Sequence, residues 1–363
     1  MNNKKFFIAV FSLVFFGQAV PAQEQTRAGQ TAWEKTVAEA KREGSVVVSA
    51  LSGELLRQVL MSFEQDYPGI QVKVQSGNLR DLWPLVYKER EMGQYLWDVR
   101  VGGVDASTYE AKERGLLDPI LPVLMLPEVL DDAKWIGGLA SLFGDKERKY
   151  VIHISGLLSG DIVVDRDAVP EAELKSPKEL TYPKWKGKIV MQDPREGGSG
   201  TAALAALIQQ YGEGFVRELL TRQNVVISDN RRQMAEWVVR KRYPIAIGLG
   251  TAGPITQFQK EGLGKNIKPI TGYNTIAGNA VILFNKAPHP NAAKVYINWL
   301  LSEKTQARLA EIAKTNSRRT DVKPGNPDLA LDPKRFREYL DISDEKYAPV
   351  KLRAQALAKE LLR

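Results

Sequence analysis

Apolar and polar positions alternate between two periods along this chain. Residues 45–49, Ser-Val-Val-Val-Ser, form an unbroken β-branched run between turn residues, the pattern of a strand covered on both faces. Leu55, Leu56, Val59, Leu60 and Phe63 then recur at helical spacing, with Ser52 placed as a cap and Pro68-Gly69 as a stop. A second strand over 71–75, a helix over 79–92 and a third strand over 97–101, ending at Gly102-Gly103, complete the first third. Strict alternation of strand and helix predicts a doubly wound parallel sheet, with ligand-binding loops at the carboxyl ends of its strands.

The middle of the chain repeats this order, with strands expected over 161–165, 188–191, 224–228 and 244–248. Leu204, Leu207, Ile208 and Tyr211 share one helical face, and Met234, Trp237 and Val238 share another. A further strand is expected over 280–284. Pro290 opens a helix carrying Val295, Tyr296, Trp299 and Leu300, and Ser302 is placed to cap its successor. Residues 324–334 read as a surface loop before an amphipathic C-terminal tail. The pattern therefore predicts an α/β protein of two lobes, in keeping with a length of 363 residues.

The first 22 residues stand outside that pattern. Lys4 and Lys5 precede an apolar run of about a dozen residues, and Val20-Pro21-Ala22 supplies the small residues of a cleavage site. The run falls short of the roughly 20 residues that cross a bilayer, so a cleaved signal peptide and export to the periplasm are expected. Its removal lowers the net charge from +8 to +6. Neither a basic tract nor interleaved aromatics accompanies that charge, so no nucleic-acid partner is expected. The absence of cysteine excludes disulfides, thiolate nucleophiles and a lipid-modified N-terminal cysteine. With His153 and His289 the only histidines, and neither in a nucleophile or metal motif, both read as surface or satisfied residues, and no metal site or cofactor is expected. The carboxylates form no helical metal-binding pair, and no G-x-S-x-G elbow is present, so the chain does not read as an enzyme.

The most informative segment is 193–201, Asp-Pro-Arg-Glu-Gly-Gly-Ser-Gly-Thr, which joins a strand end to a helix start. Gly198, Ser199, Gly200 and Thr201 suit a cradle for an anion or polar oxygen, since glycines allow close approach and a helix N-terminus presents free amides. The spacing is neither that of a P-loop nor that of a dinucleotide fold. Ser199 as a plain helix cap would explain the segment equally well. Ser52, and Ser76-Gly77 after the second strand, are small residues at the same carboxyl edge, where tight turns offer the simpler account. Arg80 and Arg231 fall in the first turns of expected helices, where a cation opposes the dipole unless an anion joins it, although Asp81 and Asp229 are adjacent. Tyr273 is a candidate for stacking on a ligand or for core packing. Arg318 and Arg319 end the helix after Ser302, where cations suit the dipole.

In order, the segments 63–72, 97–99, 193–201, 243–248, 280–283, 290–293 and 299–302 resemble those of type II periplasmic solute-binding proteins of ABC importers, family 1, the group of ferric-iron and phosphonate binders. The resemblance implies two α/β lobes joined by a two-strand hinge. Lobe one would be 23–120 plus 272–318, and lobe two 121–271 plus 319–363. It also implies a monomer that closes on a small-molecule ligand and delivers it to an inner-membrane permease with its ATPase. Iron binders of the group present two adjacent tyrosines, and none of the 12 tyrosines here adjoins another. Hydroxyls, glycine amides and first-turn arginines favour a phosphonate, phosphate ester or carboxylate, with ferric iron the alternative in the same family. A secreted phosphate-ester hydrolase and a chemoreceptor or sensor-kinase partner of the same fold are the competing classes.

Overall fold

A computed structural model describes residues 22–51, 53–77, 79–159, 161–195, 197–250 and 254–362. The expected signal peptide and Ser52 lie outside the described residues, as does the Arg80 side chain. No helix among the described residues is long and apolar enough to cross a membrane.

Strand β1 (Ser45–Ala50) pairs in parallel with β2 (Gln71–Ser76) on one side and β3 (Val99–Gly102) on the other. The third strand starts after Trp97, whose indole is buried and donates to Glu89 Oε2 at 2.8 Å. Short strands β4 (Leu117–Asp118) and β5 (Val151–His153) follow, and the chain leaves this sheet through β6 (Leu157–Leu158). A second sheet holds β7 (Ile162–Asp165), β8 (Ile189–Gln192), β9 (Val226–Ser228), β10 (Ile245–Ile247) and β11 (Ile267–Pro269). The chain returns through β12 (Thr275–Ala277) to β13 (Ala280–Phe284), and β14 (Leu340–Asp341) closes the series.

The two sheets share one strand order. The first runs β2-β1-β3-β13-β4, with β5 also on β13, and the second runs β9-β8-β10-β7-β11. Neither is all parallel as the alternation predicted. In each, the strand that enters from the other lobe, β13 or β7, lies antiparallel to its neighbours. A long-range return of this kind leaves no mark in local periodicity. The expected two-strand hinge gains a third member, because β12 pairs with β6 on one side and with β14 on the other.

Both sheets are covered on both faces, which is why their strands are so apolar. Val46, Val48, Val281 and Leu283 face the Glu54–Met61 and Pro290–Leu301 helices, while Ala280, Ile282 and Phe284 face Trp83 and Val86 of the Leu79–Glu91 helix. In the second sheet Ile162, Val164, Met191 and Ile245 meet the Ser199–Tyr211 and Ala348–Leu361 helices, and Val163, Val190 and Ala246 meet the Arg231–Val239 helix. The core of the first sheet also holds Val123, Val129, Leu142 and Ile154. The C-terminal tail joins the second core only from Ile342 onward, whereas Leu331 packs with Ile136 and Ile276 beside the crossing strands.

Candidate functional site

The carboxyl ends of β1 and β3 face those of β8 and β10 across a cleft of about 500 Å³. Leu51, Gly103, Asp105 and Ser107 line it from the first lobe, and Asp161, Ser199, Lys351 and Gln355 from the second. Tyr273, Thr275 and Ser343 form its floor at the crossing strands. This is the position at which open α/β sheets bind ligands, because loops converge there without a covering helix.

Four of the expected residues reach the cleft: Gly198, Ser199, Thr201 and Tyr273. Gly198, at φ 81°, is the residue before the helix and has no side chain with which to cap it. Ser199 is thus not the cap, and the amino end of a 13-residue helix opens toward the cleft with its dipole positive. The Thr201 hydroxyl is turned inward, donating to the Pro194 carbonyl at 2.7 Å.

Gly200 has a different role from the one expected. Its amide donates to Gln192 Oε1 at 3.0 Å, and a Cβ there would lie 2.2 Å from the Gln192 carbonyl oxygen. It is a packing glycine that lets the helix approach β8, not a ligand contact.

Ser76 and Gly77 line a separate recess of about 150 Å³ with Ser49, Asp81 and Trp97. Arg231 follows the Asn230 cap, which accepts from the Gln233 amide at 3.0 Å, and its guanidinium donates to the Leu249 carbonyl. One nitrogen of this cation is thus taken by a backbone oxygen, while its buried Nε has no hydrogen-bond partner. Tyr273 is 5% exposed, and its hydroxyl has no well-directed hydrogen-bond partner. Burial raises its pKa well above the ordinary range, the negative charge of Asp161 adds to this, and Thr275 opposes it.

The charged residues of the cleft were not foreseen. Asp105 caps the Ala106–Glu113 helix, accepting from the Ser107 amide at 2.9 Å, and the Asp-x-x-Thr spacing to Thr108 was its sequence signal. Burial raises the Asp161 pKa, against the Ser159 hydroxyl and the fields of Arg231 and Lys351. Burial likewise lowers the pKa of Lys351, against the fields of Asp105, Asp341, Asp344 and Asp161.

Behind the first-lobe wall lies Arg100, 2% exposed on β3, whose Nη1 donates to Ser49 Oγ at 3.0 Å and whose Nε has no partner. Its Nη2 would lie 3.2 Å from a Cβ on Gly102, beside Leu51 of the cleft wall. Burial pushes its pKa down to about 10, with the Asp105 field opposing, so it carries its charge at neutral pH. No signal in the strand pattern 97–101 distinguished it from a solvated arginine.

Comparison with solved structures places this geometry in a known class. Iron-bound HitA of Pseudomonas aeruginosa superposes with a TM-score of 0.68 at 18% identity, covering 87% of this chain and 99% of HitA. The fold is that of the type II periplasmic solute-binding proteins. AfuA of Actinobacillus pleuropneumoniae, with fructose-6-phosphate bound, superposes at 0.61 and 18% identity over 88% of this chain and 98% of AfuA. Residues 133–311 match the family described as bacterial extracellular solute-binding protein. An uncharacterized protein of Haemophilus influenzae is 23% identical over 279 residues, 72% of this chain and 74% of that protein. The short strands β6, β12 and β14 pair with one another in a third sheet beside the cleft. The family and these structural neighbours are binding proteins.

Proposed function

We propose that this chain is the periplasmic solute-binding component of an ABC importer and that its solute is a small anion, a phosphonate, phosphate ester or carboxylate. The observation that carries the reading is Arg100, a buried cation with no carboxylate partner among the described residues, set beneath the first-lobe wall of the cleft. Burial of an uncompensated charge is expensive, and an anion in the cleft would offset it. Lys351 and the amino end of the Ser199–Tyr211 helix offer a second positive region on the opposite lobe. An anion touching both regions would favour the closed arrangement, since its contacts with both lobes exist only there. Asp105 and Asp161 are acceptors, so the solute is expected to carry hydroxyl or ammonium donors besides its acidic group. The proposed lobes are joined at the β6 and β12 crossings, and the exported monomer would hand its cargo to a membrane permease.

Ferric iron or an iron complex is the second reading. It is favoured by the oxygen set of Asp105, Asp161 and Tyr273 around one cleft, and by the likeness to iron-bound HitA. Against it, none of the 12 tyrosines adjoins another, whereas iron binders of the group present two adjacent tyrosines. Mass spectrometry of small molecules released from the purified protein, followed by tryptophan fluorescence titration with phosphate esters, phosphonates and ferric citrate, separates the two readings. A response to the organic anions alone supports the proposal, and a response to ferric citrate alone overturns it. Turnover of an added phosphate ester would instead favour the hydrolase class.

A further inference from the structure

Away from the cleft lining, three potential ligand atoms converge where β5 meets the segment after β14. His153, Asp341 and Asp344 each direct one such atom into a space in which all three lie within 4.8 Å of one another. His153 is 1% exposed, and its Nε2 lies 3.2 Å from Asp344 Oδ1 and 4.0 Å from Asp341 Oδ2. Neither approach has hydrogen-bond geometry, so the buried nitrogen aims between the two carboxylates and not along either of them. Ligand atoms around one tetrahedral ion at roughly 2.0–2.2 Å stand about 3.3–3.6 Å apart, and modest inward movement of Asp341 would reach that spacing.

The surroundings fit the same occupant. Arg318 donates to Asp341 Oδ2, and the Ser343 hydroxyl donates to Oδ1, which orients the carboxylate as outer-shell partners do. A Cβ at Gly144 would sit 2.4 Å from His153 Nε2, although Gly144 has no positive φ that would require glycine. Four carboxylates, Asp344, Asp341, Asp145 and Glu345, act on Tyr109 in this region; Arg318 pairs with Asp341, Lys346 with Asp344 at 3.6 Å, and Lys112 with Glu345 at 2.8 Å and Glu147 at 2.6 Å, while Lys351 lies in the field of both aspartates. An imidazole nitrogen with two carboxylate oxygens suits zinc or a similar divalent ion.

We propose that His153, Asp341 and Asp344 bind one divalent cation of the zinc and cobalt type, which would staple the C-terminal segment to the first lobe next to Ser343 on the cleft floor. The site is separate from the solute cleft, and the proposal stands whichever solute reading holds. The absence of cysteine and the presence of only one other histidine make the test clean. Chelator-stripped protein is titrated with Co²⁺, followed by visible absorption, and with Zn²⁺ in competition with a chromophoric chelator. One ion per chain is expected, with affinity about tenfold or more weaker in both His153→Gln and Asp344→Asn, and unchanged in His289→Gln. Asp344 is partly exposed, so its variant serves if the buried histidine variant does not fold. Absence of binding, or binding that survives His153→Gln, overturns the proposal. Loss on Asp161→Asn alone would overturn it too, by locating the ion in the cleft. Organic-anion binding, read by tryptophan fluorescence in chelator, reports on the cleft independently.

Discussion

Arg100 Nη1 sits 3.0 Å from Ser49 Oγ, so a buried cation on β3 is answered within the protein by a neutral hydroxyl on the neighbouring strand. At an effective dielectric near 20 a guanidinium attracts a unit anion by about 4 kcal/mol at about 4 Å, and by less as the separation grows. Arg100→Met should therefore weaken binding of the anionic solute by about tenfold or more. Because the charge is uncompensated in the empty protein, the same substitution should leave unfolding free energy unchanged or raised. Calorimetric titration and urea unfolding on one preparation check both halves, and a destabilised variant of unchanged affinity would show that Arg100 is structural.

The cleft should lose affinity as pH rises toward the ordinary lysine range. Lys351 has a pKa lowered by burial, so it gives up its proton at a lower pH than an exposed lysine, and the positive charge facing the anion goes with it. Affinity is expected to be full near neutrality and to decline as pH rises below the ordinary lysine range. Lys351→Met should bind more weakly at neutral pH, and its affinity should no longer fall in that window. Titrations across the alkaline range in both proteins measure this.

Asp66 ties the first-lobe core together and should govern part of the acid stability. Burial alone would raise its pKa, but the hydrogen bonds from Arg308, Lys304 and the Trp299 indole prevail and hold it well below the usual carboxylate range. A carboxylate depressed in the folded state contributes stability that is fully present above its unfolded pKa and is lost as pH falls below it. Wild-type stability should thus drop steeply below about pH 4, and Asp66→Asn should be less stable at neutral pH with a flatter acid limb. Urea unfolding from pH 7 downward gives both slopes.

Gly200→Ala tests the packing role assigned to that glycine. The new methyl would meet the Gln192 carbonyl oxygen at 2.2 Å, and a strand backbone cannot yield as a flexible side chain would. A loss of about 1–3 kcal/mol is expected. The amino end of the helix would also shift, so solute affinity should fall with stability. Gly197→Ala, whose Cβ would meet open space but whose φ of 87° is strained, should cost less than Gly200→Ala.

Much of the architecture was legible because burial on both faces writes itself into local composition. The 280–284 strand, the Pro290 helix start and the Ser302 cap, which accepts from the Thr305 amide, stand where periodicity and capping chemistry predicted them. The antiparallel strands β7 and β13 were not legible, since strand direction depends on which lobe the chain arrives from. Arg318 and Arg319 looked like ordinary cations at a helix end, yet both are about 98% buried or more, held by Asp341 and by Asp321 with the Leu301 carbonyl.

The candidate site divides the same way. Gly198 and Ser199 were readable because a glycine-rich turn into a helix is a local feature with a local electrostatic consequence. Asp161, Lys351 and Gln355 come from separated parts of the chain, and nothing in their neighbours' periodicity marks them. By itself the sequence determined the two-lobed α/β character, the strand edges near which a ligand could approach, and the lack of thiol chemistry, because these follow from residue type and near-neighbour spacing. The tertiary structure alone decided which charges face the cleft, which are consumed by backbone oxygens, and that a histidine and two aspartates meet beside it. Those outcomes depend on distances between residues that are remote in the chain, and the Coulomb and desolvation energies that give them meaning are functions of distance and burial.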